Sequence, residues 1–312
     1  MQPALRGLFV PLITPFTTDG EIAIGALEAL AHAVLDGGAA GLVALGTTGE
    51  PATLTAAERR AVMDACARVS RERGVLLIAG AGSNDTAGTA AALRELAHWP
   101  EVSAALTLVP YYTRPSQEGV VAHFTRLAAV SPVPLIVYNV PDRTGCPLSG
   151  QTLLRLARLP GIAGIKQAVG RVDQDTVTLM AQRPADFAVL AGDDAFASPL
   201  LALGAAGGIL ASAHLRTGDF AALIDAWHSP NAAQARQLGH RLVPLSAALF
   251  AEPNPVVIKA VLHAEGMIPS PMVRLPLLEA SRASVSAALD VLRGLAKAPA
   301  EILPGQASGV QG

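Results

Sequence analysis

Lysine is scarce in this sequence. Among 312 residues, Lys166, Lys259 and Lys297 are the only lysines in a total of 23 lysines and arginines, so arginine supplies most of the surface cations. Arginine stays protonated at any usable pH, whereas a desolvated lysine can release its proton and become a nucleophile. A lysine inside an apolar segment therefore indicates a position where an amine is needed.

Cysteine and clustered histidine are also lacking. Cys66 lies on a predicted helix and Cys146 in a predicted loop, without paired spacing. Neither a disulfide framework nor a zinc site is indicated, and both are expected to be core or loop thiols. The seven histidines are scattered, with no His-x-His or His-Glu-x-x-His motif. A metal-dependent aldolase or hydrolase is therefore disfavoured, and we expect neither a metal ion nor an organic cofactor.

Long apolar runs and charge clusters are the remaining absences. No stretch approaches about 18 uninterrupted apolar residues, although the mean hydropathy is +0.40. The apolar run near the N-terminus is broken by Pro11 and Pro15 and resembles neither a signal nor a transit peptide. A net charge of −2 without a Lys/Arg cluster argues against nucleic acid or an anionic membrane as partner. We expect a soluble, cytoplasmic protein.

The first two-thirds of the chain alternates short apolar runs with longer helical patterns. The predicted strands are 8–13, 41–45, 75–79, 104–109, 135–138, 162–166, 187–191 and 208–211. The predicted helices between them are 24–36, 56–73, 86–98, 117–130, 150–159, 173–182, 195–203 and 219–228. Eight buried strands, each followed by a helix, predict an α/β fold of the (β/α)8 TIM-barrel type over residues 1–230.

The remainder of the chain carries no strand pattern. Helical patterns at 232–250, 255–265 and 277–297 predict a C-terminal helical appendage over residues 231–297. Residues 298–312 are small, polar and rich in Pro and Gly, which predicts a flexible tail.

Inside the barrel, Thr55 and Glu58 form a predicted capping box at the start of the second helix.

Lys166 closes the apolar run 161–165, which is typical of a short buried strand between Pro and Gly residues. Burial that lowers a lysine pKa from about 10.4 to about 7.5 makes roughly a quarter of the amines neutral at pH 7. Such an amine suits Schiff-base chemistry. A lysine at a strand end could equally extend to water or pair with a carboxylate, and the pattern alone leaves both interpretations open.

Other reactive or polar residues fall where predicted strands end, which is where barrels of this type hold their active sites. The segment 46–49, Gly-Thr-Thr-Gly, suits a carboxylate through its hydroxyls and N–H groups, although it could be an ordinary turn. Tyr138 could transfer protons or simply pack. Arg143 could bind a second carboxylate bidentately or lie on a surface loop. Asp193 and Asp194 open a predicted helix, so capping is favoured over metal binding.

The motifs around these positions follow the order of a known family. They are Thr14-Pro15-Phe16, Gly46 to Glu50, Pro110-Tyr111-Tyr112, Arg114 to Gly119, Tyr138 to Pro141, Arg143-Thr144-Gly145, Ile165-Lys166, Gly192-Asp193-Asp194 and Glu252 to Pro255. On these motifs the chain resembles the dihydrodipicolinate synthase (4-hydroxy-tetrahydrodipicolinate synthase) family. That family belongs to the pyruvate-dependent class I aldolases, which include N-acetylneuraminate lyase. The resemblance extends over about residues 6–295.

The resemblance implies a lyase of the lysine and diaminopimelate biosynthetic pathway. Lys166 would form an imine with the ketone of pyruvate, whose carboxylate would bind Thr47 and Thr48. The resulting enamine would attack the aldehyde of aspartate semialdehyde, and Arg143 would bind the carboxylate of this second substrate. Ile209 matches a position whose backbone carbonyl faces the lysine.

The resemblance also implies a proton relay and an oligomer. Tyr138 would donate and accept protons near the imine, and Thr47 would link it to Tyr112 of the partner subunit. Catalysis would then require at least a homodimer, and members of the family are commonly homotetramers.

Three residues depart from the family pattern. Gln167 replaces the glutamate that usually follows the lysine, which removes a charge beside the amine and could alter the substrate preference. Gly88 and Ala56 stand where lysine-inhibited members carry glutamate and often histidine. We therefore predict weak or no feedback inhibition by lysine in steady-state assays, and half-maximal inhibition at sub-millimolar lysine would contradict this prediction.

Two other functions fit parts of the pattern. One is a related aldolase that acts on a 2-keto-3-deoxy sugar acid, although such enzymes tend to lack the counterpart of Arg143. The other is a non-catalytic barrel, which Gln167 slightly favours. The presence of Lys166, Tyr138, Thr47 and Tyr112 argues against this second alternative.

Overall fold

Eight parallel strands close into a barrel in a computed structural model, which describes residues 4–297. The strands are β1 (Gly7–Pro11), β2 (Gly41–Ala44), β3 (Leu76–Gly80), β4 (Val102–Leu108), β5 (Leu135–Asn139), β6 (Ile162–Gln167), β7 (Ala188–Ala191) and β8 (Gly207–Ile209). Each strand pairs with its sequence neighbours, and β8 pairs with β1. The predicted (β/α)8 fold is confirmed, with strand ends within about two residues of the expected positions.

Helices follow the strands and continue beyond the barrel. They are α1 (Ile24–Asp36), α2 (Ala56–Arg73), α3 (Thr86–Glu95), α4 (Gln117–Ala128), α5 (Pro141–Thr144), α6 (Gly150–Ala157), α7 (Gln174–Gln182), α8 (Ala197–Ala202), α9 (Ala213–His228), α10 (Ala232–Leu249), α11 (Val256–Ala264) and α12 (Arg282–Lys297). The capping box of Thr55 and Glu58 is present at the start of α2. In the described chain, no helix is both long and apolar enough to cross a membrane.

Two predicted helix starts were wrong. Helix α9 begins at Ala213 rather than at residue 219, because a first turn joins the rest of the helix across a kink at Arg216. Helix α12 begins at Arg282 rather than at residue 277. The hydroxyl of Ser281 accepts a hydrogen bond from the N–H of Ser284, so the helix starts after this cap.

The apolar residues form two cores. One fills the barrel interior with inward-facing strand residues such as Phe9, Ile78 and Ile136. The other lies between the barrel and its helices, and it includes Leu245 of α10 and Val257 of α11. The C-terminal helices therefore pack on the barrel through a shared core, which buries one of their faces. The predicted tail at 298–312 lies outside the described residues.

His214 joins the two ends of the barrel sheet. Its Nε2 accepts a hydrogen bond from the N–H of Ile13 over 3.2 Å, and its Nδ1 lies 2.7 Å from the carbonyl oxygen of Ala211. This pair of contacts requires the neutral ring, with Nδ1 as the donor. Complete burial lowers the pKa of His214 to about 4.

This buried histidine predicts a pH-dependent stability. In the unfolded chain the imidazole of His214 has a pKa of about 6.5. Between about pH 6.5 and about pH 4, His214 is therefore protonated in the unfolded chain and neutral in the folded chain. The free energy of unfolding should therefore fall as the pH drops from about 6.5 towards about 4, by at most about 3 kcal/mol. Urea titrations of the wild type and of His214→Gln across this range test the prediction.

The variant serves as the control because a glutamine can both accept from Ile13 and donate to Ala211. Burial also lowers the pKa of His123, so the comparison is the difference between the two proteins at each pH. If the free energy of unfolding changes equally with pH in the wild type and in the variant, His214 does not contribute to the pH dependence of stability.

Candidate active site

A cavity of about 270 Å³ opens at the carboxyl ends of the barrel strands. Its lining residues are Thr47, Thr48, Tyr138, Val140, Asp142, Arg143, Lys166, Ala168, Gly192, Asp193, Asp194, Ile209, Ala211, Phe250 and Asn254. Six of the seven residues singled out from the sequence lie here. The exception is Tyr112.

Lys166 and Tyr138 occupy neighbouring strands in the same register. Tyr138 of β5 pairs with Lys166 of β6, so both side chains point into the barrel. Each residue is only 6% exposed, and Nζ of Lys166 lies 4.4 Å from the centroid of the tyrosine ring. A buried amine beside a phenol, at the floor of an open cavity, is an arrangement that can form an imine and exchange protons with it.

The segment around Thr47 and Thr48 forms a tight turn. Residues Thr47–Gly49 are one turn of 3₁₀-helix, flanked by Leu45 with φ of 55° and Glu50 with φ of 52°. These left-handed conformations are unusual for residues other than glycine and occur most often at functional sites. The side-chain amide of Asn254 donates to Oγ1 of Thr48 over 2.9 Å. Asn254 received no role from the sequence, although it lies in a motif with prolines on both sides.

Comparisons with known proteins agree with this geometry. The sequence profile of the Dihydrodipicolinate synthetase family matches residues 4–293. The chain belongs to this family. The 4-hydroxy-tetrahydrodipicolinate synthase of Moorella thermoacetica is 40% identical over 275 residues, which cover 88% of this chain and 93% of that one.

Solved structures of the family superpose on almost the whole chain. The dihydrodipicolinate synthase of Acinetobacter baumannii, described as a pyruvate complex, matches with a TM-score of 0.89 and 34% identity over 94% of this chain and 99% of its own. A dihydrodipicolinate synthase variant described as monomeric matches with a TM-score of 0.90 and 32% identity over 94% of this chain and 97% of its own.

Glycine at position 192 leaves room for the side chain of Lys166. A Cβ atom at this position would lie 2.8 Å from Cγ and 2.9 Å from Cε of the lysine, and 2.8 Å from Cβ of Ala168. Atoms this close must move apart. The contact shows that Gly192 helps to set where the amine lies.

Gly192→Ala should therefore displace the amine. We expect kcat to fall about a hundredfold, because a shift of about 1 Å in a reacting group can reduce the rate by this much. Steady-state kinetics with a parallel measurement of Tm tests this prediction. Gly25→Ala on α1 is the control, since its Cβ would meet nothing within 4 Å. Equal kcat in the two variants would rule out this role of Gly192.

Charged groups of both signs surround the outer part of the cavity. Arg143 lies on α5 next to Asp142, and Asp193 follows β7. Burial raises the pKa of Asp193, while the N–H of Gly170, which donates to its Oδ2 over 2.5 Å, acts in the opposite direction.

The two aspartates were wrongly predicted as helix caps. Neither side chain makes a capping hydrogen bond to the short 3₁₀ helix that begins at Asp194. Asp194 instead accepts hydrogen bonds from the N–H groups of Ala211 and Ser212, and Asp193 accepts from Gly170. These bonds attach β7 to the loops after β8 and β6, so the aspartates shape the cavity wall. Within residues 4–297, no group of three or more His, Cys, Asp and Glu side chains could hold a metal ion.

The side chain of Gln167 does not face the amine of Lys166. Because side chains alternate along β6, it points away from the barrel interior. Its Oε1 accepts from the amide of Asn139 over 3.0 Å, and its Nε2 donates to Oγ1 of Thr176 over 2.9 Å. The expectation that the missing charge lies beside the amine was based on sequence adjacency, and the structure directs this side chain to α7 instead.

Tyr112 lies apart from the cavity of its own chain. It is 87% exposed, with φ of 67°, on the loop after β4. An exposed tyrosine with a left-handed backbone is unusual in an isolated subunit. Within one chain, Tyr112 does not line the cavity that contains Lys166.

A second cavity of about 410 Å³ lies between β3 and the helices α2 and α3. Ala56, Gly88, Arg59 and Glu95 line it, as do Thr47 and Tyr138. It is the larger of the two cavities but it lacks Lys166, so the reaction is assigned to the smaller one. Both positions that distinguish lysine-inhibited members, 56 and 88, lie on this second cavity.

Proposed function

We propose that this protein is a 4-hydroxy-tetrahydrodipicolinate synthase, a lyase of the class I aldolase type. It condenses pyruvate with L-aspartate 4-semialdehyde in lysine and diaminopimelate biosynthesis. The observation that carries the proposal is the buried Lys166 beside Tyr138 in the cavity that also holds the Thr47–Thr48 turn. The likeness to an enzyme described as a pyruvate complex supports the first substrate.

The reaction begins on the amine of Lys166. The neutral amine attacks the ketone carbon of pyruvate and water leaves, which forms an imine. Thr47 and Thr48 bind the carboxylate through hydroxyl and N–H donors. Loss of a methyl proton gives an enamine, whose carbon forms the new bond to the aldehyde of the second substrate.

Tyr138 moves the protons of these steps. Its hydroxyl donates to the leaving oxygen during imine formation and later accepts from or donates to the reacting carbons and oxygens. Ile209 lines the same cavity as this amine. Water then attacks the imine of the condensed product, which releases an open-chain ketone and regenerates Lys166. The amino group of this ketone adds to its own carbonyl carbon and water leaves, which closes the ring of the product. The scheme uses no metal ion and no organic cofactor.

The charges at the cavity favour the amino-acid aldehyde over a sugar aldehyde. Arg143 offers a cation for a carboxylate, and Asp142 and Asp193 offer anions on the same rim. Aspartate semialdehyde carries both a carboxylate and an ammonium group, whereas a neutral sugar aldehyde carries neither. Steady-state kinetics with pyruvate and each aldehyde tests the assignment, and a higher kcat/KM for a sugar aldehyde would overturn it.

The proposed proton relay requires residues from two subunits. Thr47 links Tyr138 to Tyr112 of the partner subunit, so activity requires a homodimer, which further pairs into a homotetramer. One similar dihydrodipicolinate synthase variant is described as monomeric. The required oligomer is therefore tested by measuring the activity of this protein as it is diluted. Specific activity should fall as dimers dissociate, and a fully active monomer would refute the relay. The enzyme works in the cytoplasm, without nucleic acid or membrane partners.

A further inference from the structure

Glu50 and Lys259 form an ion pair in the protein interior. Nζ of Lys259 donates to Oε1 of Glu50 over 2.7 Å, and the lysine and glutamate side chains are 0% and 2% exposed. Nζ also lies 4.0 Å from the ring centroid of Phe16. Removing one partner of such a pair leaves the other charge buried and alone. Lys259 does not line the cavity that contains Lys166, so any effect of this residue on the reaction is indirect.

Glu50 directly follows the Thr47–Gly49 turn and has a left-handed backbone. Such a conformation persists in a residue other than glycine only where its surroundings impose it. The second carboxylate oxygen, Oε2, accepts from the N–H of Arg274 over 3.0 Å. Both anchors of Glu50 therefore come from the C-terminal region, more than 200 residues away in sequence.

Asn254 attaches the same region to the turn at a second point. Its Nδ2 donates to Oγ1 of Thr48, and the residue is 9% exposed at the cavity wall. A threonine hydroxyl that accepts one hydrogen bond still has its own proton to donate. The amide of Asn254 therefore directs the Thr48 proton towards another acceptor, and a carboxylate in the cavity is such an acceptor.

We propose that Glu50, Lys259 and Asn254 are positioning residues, which hold the Thr47–Gly49 turn in the shape that binds the carboxylate of pyruvate. The C-terminal helical region is then a part of the active site, because it supplies the side chains that bond to the Thr48 hydroxyl and to the Glu50 carboxylate. The inference rests on the proposed function, since it takes this turn as the pyruvate-binding element.

The test compares Lys259→Met and Asn254→Ala with the wild type. Borohydride trapping at a series of pyruvate concentrations gives the half-saturating concentration for the adduct on Lys166, and steady-state assays give kcat and both KM values. We expect the half-saturating pyruvate concentration to rise about tenfold in each variant, which is the effect of one lost hydrogen bond. At saturating pyruvate, kcat per trapped site should change less than about threefold.

Two control variants distinguish a specific effect on the Thr47–Gly49 turn from a general loss of stability. Glu28→Gln removes the ion pair between Glu28 of α1 and Arg68 of α2, which touches neither the turn nor any residue that anchors it. It should leave the pyruvate dependence unchanged. Asn254→Asp keeps the size of the side chain but replaces its donor with an acceptor. It should weaken pyruvate binding at least as much as Asn254→Ala.

Unchanged pyruvate dependence in Lys259→Met and Asn254→Ala would overturn the inference. If Lys259→Met fails to fold, the pair Asn254→Ala and Asn254→Asp decides alone, because the half-saturating concentration does not depend on the folded fraction. A wild type that forms no adduct at any pyruvate concentration would instead refute the proposed function.

Discussion

Lys166→Arg should abolish the reaction. Arginine keeps the positive charge and much of the length of lysine but cannot become a neutral amine, so no imine can form. We expect kcat/KM to fall by at least about 10³-fold, the scale of losing a covalent nucleophile. Mass spectrometry after borohydride reduction with pyruvate should find the reduced adduct on Lys166 of the wild type and none on the variant.

The other lysines provide the internal control. Lys259 is fully buried against Glu50 and Phe16, so the peptide that contains it should remain unmodified under the same conditions. Retained activity in Lys166→Arg, or an adduct on another lysine of the wild type, would rule out the imine mechanism on this residue.

Tyr138→Phe should separate binding from proton transfer. The ring that packs over Lys166 remains, while the hydroxyl that moves protons is lost. We expect kcat to fall by about 10²-fold to 10⁴-fold, the usual contribution of a positioned general acid or base. The pyruvate adduct on Lys166 should still form, but more slowly, as time-resolved borohydride trapping can measure.

Tyr111→Phe is the matched control for this variant. Tyr111 is 40% exposed and does not line the cavity, so the loss of its hydroxyl should leave kcat unchanged. A variant Tyr138→Phe with the kcat of this control would show that water or another residue transfers the protons.

The barrel and most of its site could be predicted from local patterns. Each strand is a short apolar run between breakers, and the register of Tyr138 with Lys166 follows from their places at the ends of adjacent strands. Parallel strands of a closed barrel point the same way, so residues at their carboxyl ends must meet at one rim. For this reason Thr47, Thr48 and Arg143 could be placed together without coordinates, whereas Ile209 was expected there only from the resemblance to the family.

Side-chain partners were less predictable than positions. Asp194 was expected to cap its own helix, because the local pattern of aspartate before a helix usually means a cap. In the structure its carboxylate bonds to Ala211 and Ser212 of the next strand-end loop. The expectation for Gln167 rested on its position next to Lys166 in the sequence. The alternation of side chains along a strand already directs its side chain away from the amine.

The sequence by itself determined the fold and the rim on which Lys166, Tyr138 and Thr47 lie, because strand periodicity and the shared direction of parallel strands follow from short-range patterns. The role expected for the amine came from the resemblance to the family. Tertiary structure alone decided which distant residues hold the Thr47–Gly49 turn. Asn254 reaches Thr48 across 206 positions, and Lys259 reaches Glu50 across 209. Contacts this distant depend on how the C-terminal helices pack on the barrel, and no local periodicity encodes the partner that a buried polar group will find.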